Sequence, residues 1–333
     1  MDDLKNKFWA IGGGKGGVGK SIVSLMLGTS LSRQGKKVIL VDADLGGSNL
    51  HTLTGIRYPM HTLADFINRE VEDINDVIID TPIDNMRLIC GADDILGIAN
   101  PKYTQKTRIF NALKKIDADY IILDLGAGTS FTSVDFFLYA PNKIVVLTPE
   151  VTSIQSAYGF IKAALYRRMN NAFKEYPECV ELVKRASASV KNDHIDSVDK
   201  LKEALSSIGE DHEKTLTAVL DELNIKIILN MVRGPKQKEV ANIVSTVAQN
   251  YLSLPIETLG IVQYDKVLGM SVNNMAKFLT EKRESISNMC FYDIAGKIIR
   301  TTLNVNNKYN QDIAEPANPE VEFNPVTPSG AST

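Results

Sequence analysis

The stretch Gly12-Gly13-Gly14-Lys15-Gly16-Gly17-Val18-Gly19-Lys20-Ser21 decides the fold of this chain. It stands between a short apolar run, Phe8-Trp9-Ala10-Ile11, and an apolar-periodic segment over residues 22–31, so it reads as strand, loop and helix. From Gly14 onward the spacing is that of a phosphate-binding loop. Glycines let backbone N–H groups close around an anion at a helix start, Lys20 is placed for the β- and γ-phosphates, and Ser21 for Mg²⁺. Gly14, Gly16, Gly17, Val18, Gly19, Lys20, Ser21 and Ile22 are therefore the candidate nucleotide cradle. The competing reading is a Gly-rich turn that binds nothing, but such a turn makes no demand for a lysine and a serine in this register.

Residues 37–41 form an apolar run that ends in Asp42-Ala43-Asp44. This predicts a second buried parallel strand, with its carboxylates at the carboxyl edge where open α/β sheets bind ligands. A polar turn or a helix cap is the ordinary alternative for two such aspartates. Tyr120-Ile121-Ile122-Leu123-Asp124 repeats the pattern, and a carboxylate at Asp124 would act on Mg²⁺ through water, because that ion dehydrates reluctantly. Further strands are expected at 87–91, 143–147, 225–232 and 257–262, with helical spacing over 62–77 and 104–115. Strands alternating with helices predict an α/β phosphate-loop NTPase with a mainly parallel sheet flanked by helices. Between about 166 and 224 no strand run appears, charge rises and helical spacing recurs, which predicts a helical insertion. It is read either as an enlarged crossover with no separate role or as a partner site.

Several segments resemble one family. Gly14-Lys15-Gly16-Gly17-Val18-Gly19-Lys20-Ser21 resembles the deviant Walker A motif of the MinD/ParA group, and the run VDADLGGSNL its DxDxGxxNL segment. Leu125-Gly126-Ala127-Gly128-Thr129, together with TPEVTSIQSAYGFIK, is most similar to the flagellar-number ATPases, FlhG or FleN. The resemblance covers nearly the whole chain apart from the insertion and the tail, and implies an ATPase that uses Mg²⁺ and pairs when ATP is bound. It implies that Lys15 reaches the nucleotide of a twin subunit, that Asp42 belongs to the Mg²⁺ and water network, and that Asp44 orients the attacking water. Glu150 and Thr152 are then candidates for the dimer face, or simply a strand-to-helix turn. LNMVR resembles the base-recognition strand end, which makes Asn230 the purine contact through an amide that both donates and accepts. Arg233 is expected against the base or in solvent, and Asp265 beside the nucleotide.

Composition narrows the setting. A formal charge of −3 over 333 residues provides no bulk attraction to DNA or anionic lipid. Cys90, Cys179 and Cys290 lie far apart without a CxxC pair, as expected for thiols in a reducing cytosol. His51 and His61 stand alone and are assigned no chemistry. No apolar run is long enough to span a membrane, and the amino terminus does not read as a signal peptide. The expected place is cytoplasmic, with peripheral attachment to the inner face of the membrane left open by an amphipathic helix at about 285–303 bearing Lys282, Arg283, Lys297 and Arg300. Core packing is the favoured reading of that helix. The ATPase domain is expected over 1–304. A disordered tail is expected over 305–333, with Pro316, Pro319, Pro325 and Pro328 among acidic residues. Only seven residues precede the first strand, so the activator segment that often opens FlhG proteins is not expected, nor is coupling to a partner GTPase.

The leading functional expectation is an ATP-driven switch with a protein partner that controls the position or number of a large assembly, possibly flagellar. The rivals are a ParA-like DNA-partition ATPase and a low-turnover regulator that binds ATP and sequesters a transcription factor or scaffold.

Overall fold

A computed structural model describes residues 7–91, 101–188, 195–282 and 284–314. Eight strands form one sheet: β1 Phe8–Gly12, β2 Val38–Asp42, β3 Ile78–Asp80, β4 Met86–Ile89, β5 Tyr120–Asp124, β6 Asn142–Leu147, β7 Ile225–Val232 and β8 Glu257–Gln263. Their order is β3-β4-β2-β5-β1-β6-β7-β8. Every pairing is parallel except that of β3 with β4. Strands β1, β2, β5 and β6 are buried along their whole length, which is why each reads as an unbroken apolar run rather than an alternation. Strand β3 was not legible in this way. It is a three-residue antiparallel edge, half-buried to exposed, and so carries no such run.

This order places the functional edge. β1 lies between β5 and β6, so the chain crosses from one side of β1 to the other, and ligand crevices open at the carboxyl ends of strands around such a reversal. Register adds detail: Asp124 is level with Ile11 on one side and with Asp42 on the other. The two aspartates therefore stand abreast, one residue away from the start of the glycine loop.

The helices are α1 Lys20–Arg33, α2 Leu50–Thr54, α3 Leu63–Asn68, α4 Tyr103–Leu113, α5 Phe131–Tyr139, α6 Val151–Ala172, α7 Pro177–Ala188, α8 Val198–Ser206, α9 Glu210–Leu223, α10 Pro235–Lys238, α11 Val240–Leu252, α12 Lys266–Ser271, α13 Met275–Glu281 and α14 Ile286–Ala314. Helix α1 is buried from Val23 to Ser32 and comes close to β2, where a Cβ on Gly28 would sit 2.8 Å from Leu40.

Three boundaries differ from the sequence expectation. The helical spacing over 62–77 is split, because Arg69 takes a left-handed φ of 66° and ends α3; a 3₁₀ turn, Ile74–Val77, follows. The helical region between β6 and β7 does not begin near Tyr166, which lies inside the continuous 22-residue α6. Helices α7, α8 and α9 follow it before β7, and the Tyr166 hydroxyl donates to Ala186 O at 3.2 Å, tying α6 to α7. Helix α14 runs to Ala314, past the expected end at 304, and in sequence Val305, Tyr309 and Ile313 continue the helical spacing. Residues 315–333 of the expected tail lie outside the described residues, as does Arg283.

The backbone divides into two compact units, Met1–Lys297 and Ile298–Thr333. Within the first, α14 buries Phe291, Ile294 and Ala295, and a Cβ on Gly260 of β8 would lie 2.4 Å from Ile294, so this part of α14 has a core face as favoured. Within the second, the helix continues, and Thr302 Oγ1 donates to Ile298 O. Among the described residues no helix is long and apolar enough to cross a membrane.

Candidate functional site

The loop after β1 is shaped by glycine where side chains do not fit. Gly17 and Gly19 hold φ of 79° and 90°, the left-handed region that glycine enters freely. A Cβ on Gly14 would lie 1.8 Å from the backbone oxygen of Ser156, so the loop lies directly against α6. At the exposed crest, a Cβ on Gly16 or Gly17 would meet nothing within 4 Å. Val18 is buried, and Lys20, the first residue of α1, is only 8% exposed. Burial lowers the Lys20 pKa, while the charges of Asp124 and Asp44 pull it back up. An ammonium is thus held half-desolvated at a helix N-terminus between two carboxylates.

Asp42 and Asp124 are each 1% exposed. Asp42 Oδ2 accepts from Ser48 Oγ at 2.7 Å, Asn49 N–H at 2.9 Å and Leu50 N–H at 3.0 Å, and Oδ1 accepts from Asp44 N–H at 3.2 Å. It therefore orders the segment 44–50, and only Oδ1 keeps acceptor capacity towards an ion. Its pKa is nevertheless raised, because desolvation outweighs those bonds. Asp124 is raised to about 7, first by burial and then by the Asp42 charge; hydrogen bonds from Ser21 and Ser24 and the charge of Lys20 act the other way. Asp44 faces the segment after β5, since a Cβ on Gly126 would lie 2.7 Å from Asp44 Oδ1. That segment is tied back to the loop by Gly128 N–H donating to Gly13 O and Leu125 N–H to Ile11 O.

Ser24 was missed in the sequence. Its hydroxyl donates to Asp124 Oδ1 at 2.8 Å, and it lies one helical turn after Ser21. That i, i+3 spacing was the available signal.

Lys15 Nζ donates to Thr152 Oγ1 at 2.7 Å and lies 3.8 Å from Glu150 Oε2, at the exposed start of α6 in the same chain. On the other side of the loop, Asn230 Nδ2 donates to Val18 O at 2.9 Å and its Oδ1 accepts from Met231 N–H at 2.9 Å, with Met231 at φ 59°. One N–H and one lone pair of this amide remain for a base edge. Gly19 makes room for it, since a Cβ there would lie 2.6 Å from Asn230 Nδ2. The Arg233 guanidinium stacks 3.8 Å from the Tyr264 ring centroid. Asp265 is not free to meet a nucleotide as expected. Its Oδ1 caps α12 through Val267 and Leu268 N–H, and its Oδ2 accepts from Ser287 N–H and Oγ, so it anchors the chain behind Tyr264.

These donors suit a hard divalent cation beside phosphate. Ser21 offers a hydroxyl and Asp42 and Asp124 carboxylate oxygens, and the raised Asp124 pKa shows a carboxyl held up first by burial and then by the Asp42 charge, both of which a bound cation would counter. Mg²⁺ is an ion that keeps water and takes ligands from phosphate, so a hydroxyl and two carboxylates are a sufficient protein contribution.

The profile described as CobQ/CobB/MinD/ParA nucleotide binding domain matches residues 9–277. The antiactivator FleN of Pseudomonas aeruginosa is 24% identical over 292 residues, covering 87% of this chain and 85% of FleN. The flagellum site-determining protein YlxH of Helicobacter pylori is 32% identical over 165 residues, 47% of this chain and 53% of that protein, so the match spans about half of that relative. The septum site-determining protein MinD of Pyrococcus horikoshii, solved in complex with Mg-ADP, superposes with a TM-score of 0.59 at 21% identity, covering 88% of this chain and 95% of that one. This last likeness is one of fold.

Proposed function

The chain belongs to the CobQ/CobB/MinD/ParA nucleotide-binding domain family, and from that premise we propose that it binds and hydrolyses ATP with Mg²⁺ and pairs with a second copy while ATP is bound. The observation that carries this reading is the convergence of the glycine loop, the half-desolvated Lys20, Ser21 and the abreast carboxylates Asp42 and Asp124 at the carboxyl ends of β1, β2 and β5. Lys20 neutralises phosphate charge, and Ser21, Asp42 and Asp124 would hold Mg²⁺, which when bound supplies further charge to the phosphate oxygens. Asp44 orients water, and Gly126 lets its carboxylate lie against the segment that follows Asp124. Asn230 reads the purine through its remaining donor and acceptor, with Arg233 and Tyr264 beside it.

Lys15 is the residue that makes the protein work as a pair. In the single chain its ammonium rests on Thr152 and Glu150 at a half-exposed surface. Trading these contacts for the partner's triphosphate joins pairing to the presence of the γ-phosphate. The biological output we infer is control of the position or number of a large assembly. The likeness to FleN and YlxH supports this, and it favours flagella.

Two substitutions test the site. Lys15→Ala is expected to keep ATP binding but to lose ATP-dependent pairing, read by light scattering; unchanged pairing would remove Lys15 from the interface. Gly126→Ala pushes a methyl group into Asp44 and is expected to lower turnover by about tenfold or more with nucleotide affinity retained. Steady-state turnover measured with and without vesicles, duplex DNA and candidate flagellar proteins distinguishes the outputs. Stimulation by a protein or by lipid fits positioning, stimulation by DNA that falls steeply with salt fits partition, and turnover indifferent to all three fits a sequestering regulator.

A further inference from the structure

A groove of about 630 Å³ runs between α4 and α6 over the short helix α5. Its floor is apolar and aromatic: Phe110 stacks face to face on Tyr139, with Leu138 beside them. Its walls are cationic. Lys106, Lys114, Arg167, Arg168 and Lys174 line it against a single acidic lining residue, Asp135, in a chain whose net charge is −3.

The charges are not all spent within the fold. Asp135 is clamped by Lys106 at 2.8 Å and Arg167 at 2.7 Å, which neutralises part of that pair and fixes the floor. Burial raises the Asp135 pKa, but the hydrogen bonds and charges of these two cations outweigh it and hold the carboxyl below its usual range. The Lys114 ammonium lies 5.2 Å from the Tyr139 ring centroid, a cation–π contact that leaves its N–H donors available. Among the described residues Lys174 pairs with the exposed Glu175 at 3.9 Å, a contact of little strength in water. At the floor, the Tyr139 hydroxyl is shut off from solvent without a hydrogen-bond partner among the described residues. Tyr103, 83% exposed, stands among the lining residues with its ring free to cover an incoming apolar side chain.

We propose that this groove docks an acidic segment of a partner protein, with carboxylates on Lys114 and Lys174 and an aromatic or aliphatic side chain on the Phe110–Tyr139 floor. Nucleic acid fits less well: the cations ring a single groove of about 630 Å³ in a chain of net charge −3, which is short for a phosphate backbone to follow. The surface is also joined to the nucleotide site. Helix α5 is capped by Ser130, directly after the segment bonded to the glycine loop, so a partner seated here rests on the helix that follows that segment. The docking itself does not depend on ATP, and its failure would leave the ATPase reading intact.

The test uses the full chain and fluorescence anisotropy with three labelled probes: a peptide of glutamate and phenylalanine, its counterpart with lysine for glutamate, and a DNA duplex. The acidic peptide is expected to bind, and Lys114→Glu combined with Lys174→Glu to weaken it about tenfold or more. Tyr139→Leu, which removes the ring stacked on Phe110 that the probe's phenylalanine would pack on, is expected to weaken it about threefold or more with basal turnover retained. Basal ATP turnover of these variants reports that they fold. The proposal is overturned if the acidic peptide does not bind, if the double charge reversal leaves its affinity unchanged, or if the duplex binds more tightly and is lost in the same variant, which would assign the surface to nucleic acid.

Discussion

Replacing Lys20 by alanine is expected to lower ATP turnover by about a hundredfold or more and to abolish the rise in melting temperature that Mg²⁺ and ATP give the parent chain. The reason lies in how this ammonium is held. It stands at the first turn of α1, 8% exposed, with burial lowering its pKa and Asp124 and Asp44 raising it. A charge already stripped of much of its water loses little more when a phosphate arrives, and it acts in a weakly screening environment. Alanine takes away the one ammonium that the chain itself buries beside Asp124 and Asp44. A variant that kept the thermal shift and turnover within about threefold of the parent would remove Lys20 from the phosphate site.

The second large effect runs in two directions at once. Asp124→Asn is expected to raise the stability of the nucleotide-free chain at pH 7.5 by about 2 kcal/mol, several degrees in melting temperature, while removing Mg²⁺-dependent turnover. The Asp124 carboxyl is raised to about 7 by burial and by the Asp42 charge, whereas an unfolded aspartate ionises near pH 4. A group raised in the folded state favours folding fully below its unfolded value, and that contribution is lost as pH climbs from about 4 to about 7. The parent should therefore lose stability across that window, and the asparagine variant should show a flatter profile, since it keeps an acceptor for Ser21 and Ser24 without the charge. Thermal melts of both chains between pH 4 and 8, without nucleotide, read this directly. Matching profiles would mean that burial and the Asp42 charge do not hold the Asp124 carboxyl up. A carboxyl held up in this way is the ordinary cost of a site that waits for a cation.

How far the sequence spoke for this structure follows from where each residue lies. Strands β1, β2, β5, β6 and β7 were legible because central parallel strands are buried on both faces and leave continuous apolar runs, and Asp42 and Asp124 simply end two of those runs. Strand β3 carries no such run and could not be seen. The missed start of the insertion has a different cause: α6 continues through Tyr166 with helical spacing of Phe160, Ala164 and Leu165, and periodicity marks a helix better than where it stops. Within the site, the contacts that escaped are those between residues far apart in the chain. Lys15 meets Thr152 across 137 positions and Ser24 meets Asp124 across 100, distances at which no local pattern specifies a partner. Asp265 was expected beside the nucleotide because its segment resembles the family's stretch flanking that site, yet the position is also an N-cap, and in this structure the cap and Ser287 engage the carboxylate.

The account stands on one coupling, between a triphosphate gripped by the glycine loop and the union of two chains. Sedimentation of the full chain with Mg²⁺ and a fluorescent, non-hydrolysable ATP analogue tests it in a single measurement, because nucleotide and protein mass are read together. The nucleotide is expected to travel with a species of twice the chain mass, and ADP to leave a single chain. Nucleotide travelling with single chains at saturation, or not travelling with the protein at all, would contradict it.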